Sequence, residues 1–174
     1  MRIILFFFLF LSCTNDPNVV QGFVSGKEFP IEQIKEAELI QTEKGNIKVK
    51  IVANTISRFQ NRQPELIFSD HLIVTFYNDS SNIQSILKAE NASIDEEKKI
   101  MIASNSVILE SDEKKLETEE LVWDEVSNKI YTGKKVKITT GKEVIFGEGF
   151  ISNPDFTEYS IIKIHGSLNF DSEE

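Results

Sequence analysis

The chain has 174 residues, of which 40% are apolar and 27% charged, enough for one folded domain and too apolar for disorder. Its formal charge is −9, and −10 once residues 1–12 with their lone Arg2 are removed, so the body repels nucleic-acid phosphates and is not held to an anionic membrane by charge. With one cysteine, Cys13, no disulfide can form within the chain.

Arg2 precedes nine apolar residues, 3–11. As a helix they reach about 14 Å, too short for a hydrocarbon layer of about 30 Å, so they read as a secretory signal at residues 1–12. The ending FLSC resembles a bacterial lipobox, with Phe10 where Leu is usual. Cys13 is then the expected lipidation site and new N-terminus, and acyl chains at about 0.8 kcal/mol per buried methylene tie the protein to a membrane. Residues 13–27, with Asn15, Asp16, Pro17, Gly22 and Gly26, read as a flexible tether. A folded domain is expected over 28–168 and an acidic disordered tail over 169–174.

Ile31, Ile34 and Ala37 recur at a spacing of three, which a short helix and a strand fit equally, so residues 31–42 stay open. From Asn46 the period is two: Ile47, Val49 and Ile51 alternate with Lys48 and Lys50. Leu72, Val74 and Phe76 repeat the pattern, while Ile73 and Tyr77 make the other face apolar as well. Residues 78–82, NDSSN, carry turn chemistry.

A repeat follows. Leu87, Ala89, Ala92 and Ile94 recur 29 residues later as Leu116, Thr118, Leu121 and Trp123, and again as Ile145, Gly147, Phe150 and Ser152. Units of this kind stack because none can bury its apolar face alone. Within each, the gap of three between the second and third positions reverses strand parity, which requires a corner near Glu90, Glu119 and the group Gly147, Glu148 and Gly149. Stacked corners make a bent sheet with a V-shaped section. Acid- and lysine-rich stretches at Asp95, Ser111 and Asp124 read as solvated turns. Asn153, Pro154 and Asp155 form another turn, and a last strand follows at residues 159–164.

Chemistry is sparse. Ser69, Asp70 and His71 are consecutive, so they cannot converge as a nucleophile, base and orienting acid. Two histidines and a cysteine assigned to lipid argue against a metal, and Gly147, Glu148 and Gly149 lack phosphate-loop spacing, so no catalytic residue and no cofactor is expected. Trp123, the one tryptophan, either packs in the core or lines an apolar groove.

PELIFSDHLIVTFYND from Pro64, SILKAENASI from Ser85, LETEELVWDEVSNKIYTGKKVKI from Leu116 and GEGFISNPDF from Gly147 together resemble the LptC proteins of lipopolysaccharide export, related to LptA and OstA. The resemblance spans about Ser25 to Gly166. It implies an all-β fold, a twisted open β-jellyroll of antiparallel strands. It also implies a place between an inner-membrane ABC transporter, contacted through its permease subunits, and a periplasmic LptA-like bridge, with lipopolysaccharide acyl chains moving along the apolar interior. Many members carry a transmembrane helix where this chain has the lipobox, so the expected location is the periplasm on a lipid anchor, with the inner membrane favoured by the resemblance. Candidate groove residues are Val74, Phe76, Leu87, Ala89, Ile94, Ile102, Val107, Leu116, Leu121, Trp123, Ile130, Val136, Ile138, Phe146 and Phe150. Tyr159, Ile161, Ile162 and Ile164 are candidates for a partner-binding edge, because an open strand presents unpaired backbone groups. The alternatives are a scaffolding lipoprotein that binds partners by strand addition and a secreted hydrolase. A continuous apolar groove favours the conduit, a filled core the scaffold, and a closed polar cleft with buried carboxylates the hydrolase.

Overall fold

The computed structural model describes residues 29–60 and 62–169; the signal, Cys13, the tether and the end of the acidic tail lie outside these residues. The described chain forms β1 (Glu32–Glu43), β2 (Asn46–Arg58), β3 (Leu66–Tyr77), β4 (Ile83–Ala89), β5 (Asn91–Asp95), β6 (Ile100–Ser111), β7 (Lys114–Asp124), β8 (Lys129–Thr140), β9 (Glu143–Ser152) and β10 (Tyr159–Asn169). All pair antiparallel in one sheet, ordered β1-β2-β3-β4-β6-β7-β8-β9-β10, with β5 pairing β3 and β6. β4 and β5 are two halves of one strand broken at Glu90. The segment that sequence left open between helix and strand is β1: Ile34 and Leu39 pair with Ile56 and Ile51 on the inner face.

A line of irregular backbone crosses every strand and folds the sheet into two facing layers. On β1 it passes through Glu36 (φ 53°), on β3 through Asp70 (φ 64°) and His71 (φ 85°), and on β6 through Asn105 (φ 66°) and Ser106 (φ 52°). Pairing skips a register at the same level on β2, between Ala53 and Thr55, and on β8, between Thr132 and Lys135. Two residues on β3, β6 and β8 oppose one on β2, β7 and β9, which is the arrangement of a β-bulge. Asp70, His71 and Asn105 are of the types that adopt positive φ most readily among non-glycine residues, while Glu36 and Ser106 hold it without that advantage.

Bulges leave backbone groups without a ladder partner, so polar side chains gather along the line. Asn54 Nδ2 donates to the Asp70 carbonyl, Thr55 Oγ1 donates to the Asp70 carboxylate (3.2 Å), and Thr118 Oγ1 donates to the Lys135 carbonyl (2.9 Å). The Glu90 N–H donates to the Asn105 carbonyl (3.1 Å) and the Glu90 carbonyl accepts from the His71 N–H (3.0 Å).

Between the layers lies the core. Above the bend it contains Phe68, Leu121, Ile130 and Phe150, and below it Leu72, Val74, Leu87, Leu109, Leu116 and Ile138, all fully buried. The result is a twisted, open antiparallel β-jellyroll, with β1 and β10 as the outermost strands among the described residues.

Turn carboxylates are held below their ordinary range. Backbone and side-chain hydrogen bonds from Ser127, and the Val126 N–H, do this for Asp124; Lys98 does it for Asp95 and Lys48 for Asp79. Lys137, followed by Lys115, lowers Glu117. A depressed carboxylate contributes stability above its unfolded pKa of about 4 and loses it as pH falls through the folded value. The urea midpoint is therefore expected to hold from pH 7 to about pH 5 and to fall between about pH 4 and 2. A midpoint that does not fall in acid contradicts this.

Candidate functional site

The expected groove residues divide by strand parity. Val74, Phe76, Leu87, Ala89, Val107, Leu116, Leu121, Trp123, Ile130, Val136, Ile138 and Phe150 are buried between the layers, and Ile94 packs against them partly buried. Ile102 and Phe146 are corrections: both lie on the outer face. Ile102 stands between the buried Met101 and Ala103, and is 38% exposed. The parity change that places both Gly147 and Phe150 inside turns Phe146 out, and it is 41% exposed.

Of the corner residues, Glu90 and Glu119 sit on the bend, opposite Asp70–His71 and Asn105–Ser106 respectively. On β9 the bend is centred on Gly149 (φ 77°), while Gly147 and Glu148 lie just before it in regular pairing with Val136 and Lys135. An L side chain rarely adopts the Gly149 conformation, and a Cβ there would come within 2.7 Å of Ile162. The outer side of the bend carries loose polar pairs: Glu90 beside His71 (3.9 Å), Glu120 with Lys134 (3.8 Å) and Glu148 beside His165 (3.7 Å). Each is largely exposed, so each contributes little to stability.

The interior is filled over most of its length. At the β8–β10 end the loop after β9 closes it. Phe156, fully buried, sits in that loop against Phe150 (ring centroids 5.6 Å apart) and Tyr159 (5.4 Å). Ser85 Oγ donates to the Pro154 carbonyl, and Lys114 Nζ donates to the carbonyls of Phe156 and Thr157 (3.1 Å each), so the loop straps one layer to the other. Burial among these rings also raises the Tyr159 hydroxyl. Sequence reading placed a turn at Asn153–Asp155 and missed Phe156 as a core residue; a lone phenylalanine in the polar run NPDFTE was the available signal.

Space between the layers remains at the β1–β2 end. A cleft of about 330 Å³ is lined by Leu39, Ile40, Val49, Ile51, Leu66, Ile94, Met101 and Trp123, with Glu96, Lys99 and Glu125 at its rim. A neighbouring polar recess of about 620 Å³ is lined by Lys48, Asp79, Gln84, Asn128 and Asn153, and shares Trp123 with the cleft. Of the edge candidates on β10, Ile162 (71% exposed) and Ile164 (64% exposed) face solvent, whereas Tyr159 and Ile161 pack against the core. Among the described residues no three His, Cys, Asp or Glu side chains converge as a metal site.

A hydrophobic cleft between two β layers, with free strand edges at either end of the sheet, can hold an apolar chain and add strands. No curated protein matches by sequence. Among solved structures, the fold is similar to LptH of Pseudomonas aeruginosa, the LptA homologous periplasmic component of the lipopolysaccharide transport device, with TM-score 0.42 and 11% identity over 77% of this chain and 82% of that one. The family described as "Lipopolysaccharide-assembly, LptC-related" matches residues 8–162. By that match the chain belongs to the LptC-related lipopolysaccharide-assembly family, a non-enzymatic group acting in lipopolysaccharide transport.

Proposed function

We propose that the protein is a membrane-tethered periplasmic link in lipopolysaccharide transport, passing lipid from an inner-membrane ABC transporter to a bridge of like folds. The observation that carries this reading is the apolar interior between two layers, open at the β1–β2 end and lined there by Leu39, Val49, Ile51 and Trp123. Family membership supplies the lipid. The acidic surface argues that contact is chiefly apolar, with lipopolysaccharide phosphates left outside. Direction comes from an energy source elsewhere, and Cys13 supplies the tether. Depletion of the protein, followed by assay of lipopolysaccharide at the cell surface, tests the role: arrival should fall, and unchanged arrival overturns it.

For the rest of the interior to carry a chain, the layers must part along their seam. The bend is the natural hinge for such opening, because pairing is already interrupted there on every strand. A filled core in the closed state also favours a second reading, a scaffold that binds partners only by strand addition.

Both readings use the free edges. β10 presents Ile162 and Ile164 to solvent at the end of the sheet, beside unpaired backbone groups, and is the proposed bridge-docking strand. Ile162→Asp with Ile164→Asp should weaken binding of a like β-jellyroll at least tenfold and shift stability by no more than about 1 kcal/mol, since both side chains are exposed. Pull-down and urea unfolding of the same preparation check this. Undiminished binding removes β10 as the docking edge.

A further inference from the structure

The two layers meet at the β1–β2 end through a pair of rings, Trp123 of β7 and Phe76 of β3, 5.2 Å apart between centroids and nearly perpendicular at 85°. Trp123 lines two recesses at once, the apolar cleft of about 330 Å³ and the polar recess of about 620 Å³. The side chain is only 8% exposed, and its Nε1 is cut off from solvent with no acceptor among the described residues. A buried donor left in this state is unfavourable, and an arriving acceptor relieves it.

We propose that the two recesses are one amphiphile site divided by the Trp123 ring, with a single acyl chain in the apolar part and an uncharged sugar headgroup in the polar part. This deepens the lipid-carrying reading and rests on it. The apolar cleft lies at the small end of the roughly 300–1,000 Å³ usual for ligand sites, which suits one chain. Around the polar recess stand Glu43, Asp79, Glu125 and Asp155 against Lys48, which Asp79 already engages, while Lys44 and Lys99 stand outside the lining, each 3.9 Å from Glu43 and Glu125 respectively, so four carboxylates face three lysines. A phosphate brought there meets net negative charge. Sugar hydroxyls, by contrast, donate to those carboxylates, and they accept from the indole N–H once a turn of the ring brings it to the recess.

The single tryptophan makes the site its own reporter. Full chain carrying Cys13→Ser, to prevent acylation, is titrated below the critical micelle concentration with dodecyl maltoside brominated on its chain, and separately with dodecyl phosphate. Saturable quenching by the bromine places the chain beside Trp123. By calorimetry, dodecyl phosphate should bind at least tenfold more weakly at low salt, with the gap narrowing at high salt. Trp123→Phe keeps the ring and loses the N–H, and should bind the maltoside about 3- to 10-fold more weakly. Should Trp123→Phe not fold, Asp79→Asn with Asp155→Asn serves instead: it should strengthen dodecyl phosphate binding several-fold and leave maltoside binding within twofold. Absent quenching, equal affinity for the two headgroups, unchanged maltoside binding by folded Trp123→Phe, or unchanged dodecyl phosphate binding by Asp79→Asn with Asp155→Asn overturns the proposal. If that happens while photo-crosslinkers at Leu116 and Ile138 still capture lipopolysaccharide, this site is wrong and the conduit stands; if those also fail, the conduit falls with it.

Discussion

Replacing Phe156 with alanine is expected to cost about 3–5 kcal/mol of folding stability, the usual range for a buried phenylalanine whose cavity cannot fully collapse. The ring is fully buried, meets Phe150 edge-on at 85° and Tyr159 at 67°, and lies beneath Lys114 Nζ, 5.8 Å from the ring centre. Collapse is resisted because the loop is pinned at both sides: the Phe156 N–H donates to the Asn153 carbonyl (3.1 Å), and the Phe156 carbonyl accepts from Lys114. The residue also holds a positive φ of 56°, which alanine tolerates no better, so the substitution relieves no strain that could offset the lost packing. Urea unfolding with an unchanged slope measures the loss. A cost below about 1 kcal/mol contradicts the role of Phe156 as the plug that joins the layers.

Gly147→Val should come next, at about 2–4 kcal/mol, by overpacking. A Cβ at Gly147 would lie 2.4 Å from Ile161 Cγ2 and 2.7 Å from the Lys163 carbonyl oxygen. The side chain of Ile161 can turn away, but the carbonyl belongs to β10 and moves only with the β9–β10 ladder. The damage should therefore concentrate on β10: amide exchange there should accelerate more than on β6 or β7, and docking through that edge should weaken with it. Uniform acceleration across the sheet, or wild-type stability, contradicts the close approach.

Other parts of the fold were readable in the sequence. Period-two alternation on β2 and β3 marked strands because each has one core face, and the gap of three between Ala89 and Ala92 marked the bend because parity must reverse there. Turn chemistry at residues 78–82 was legible too: Asn78 Oδ1 accepts from the N–H groups of Ser80 and Asn82 (2.9 Å each). The bends on β3 and β6 were not, since they are made by an extra Asp-His and Asn-Ser pair that reads as ordinary polar strand. Ile102 and Phe146 were assigned inward because they lie in runs, Ile100–Ala103 and Val144–Gly147, where every residue is apolar or small and either parity fits. Phe76 and Trp123 share the core through a contact between layers, which no local pattern encodes. Phe156 was marked only by its apolar ring in a polar run, because its partners, Lys114 and Phe150, come from two different strands.

The acyl-chain path is the centre of the account, and neighbouring positions on β7 test it. Leu116 is fully buried between the layers, while Glu117 is its outward neighbour, paired with Lys137 (2.9 Å). A photo-crosslinking residue at each, with Phe146 as a second outward control, should capture lipopolysaccharide in living cells at Leu116 and at neither outward position. Equal capture on both faces, or no capture at Leu116 in a protein shown to be folded, contradicts transport between the layers.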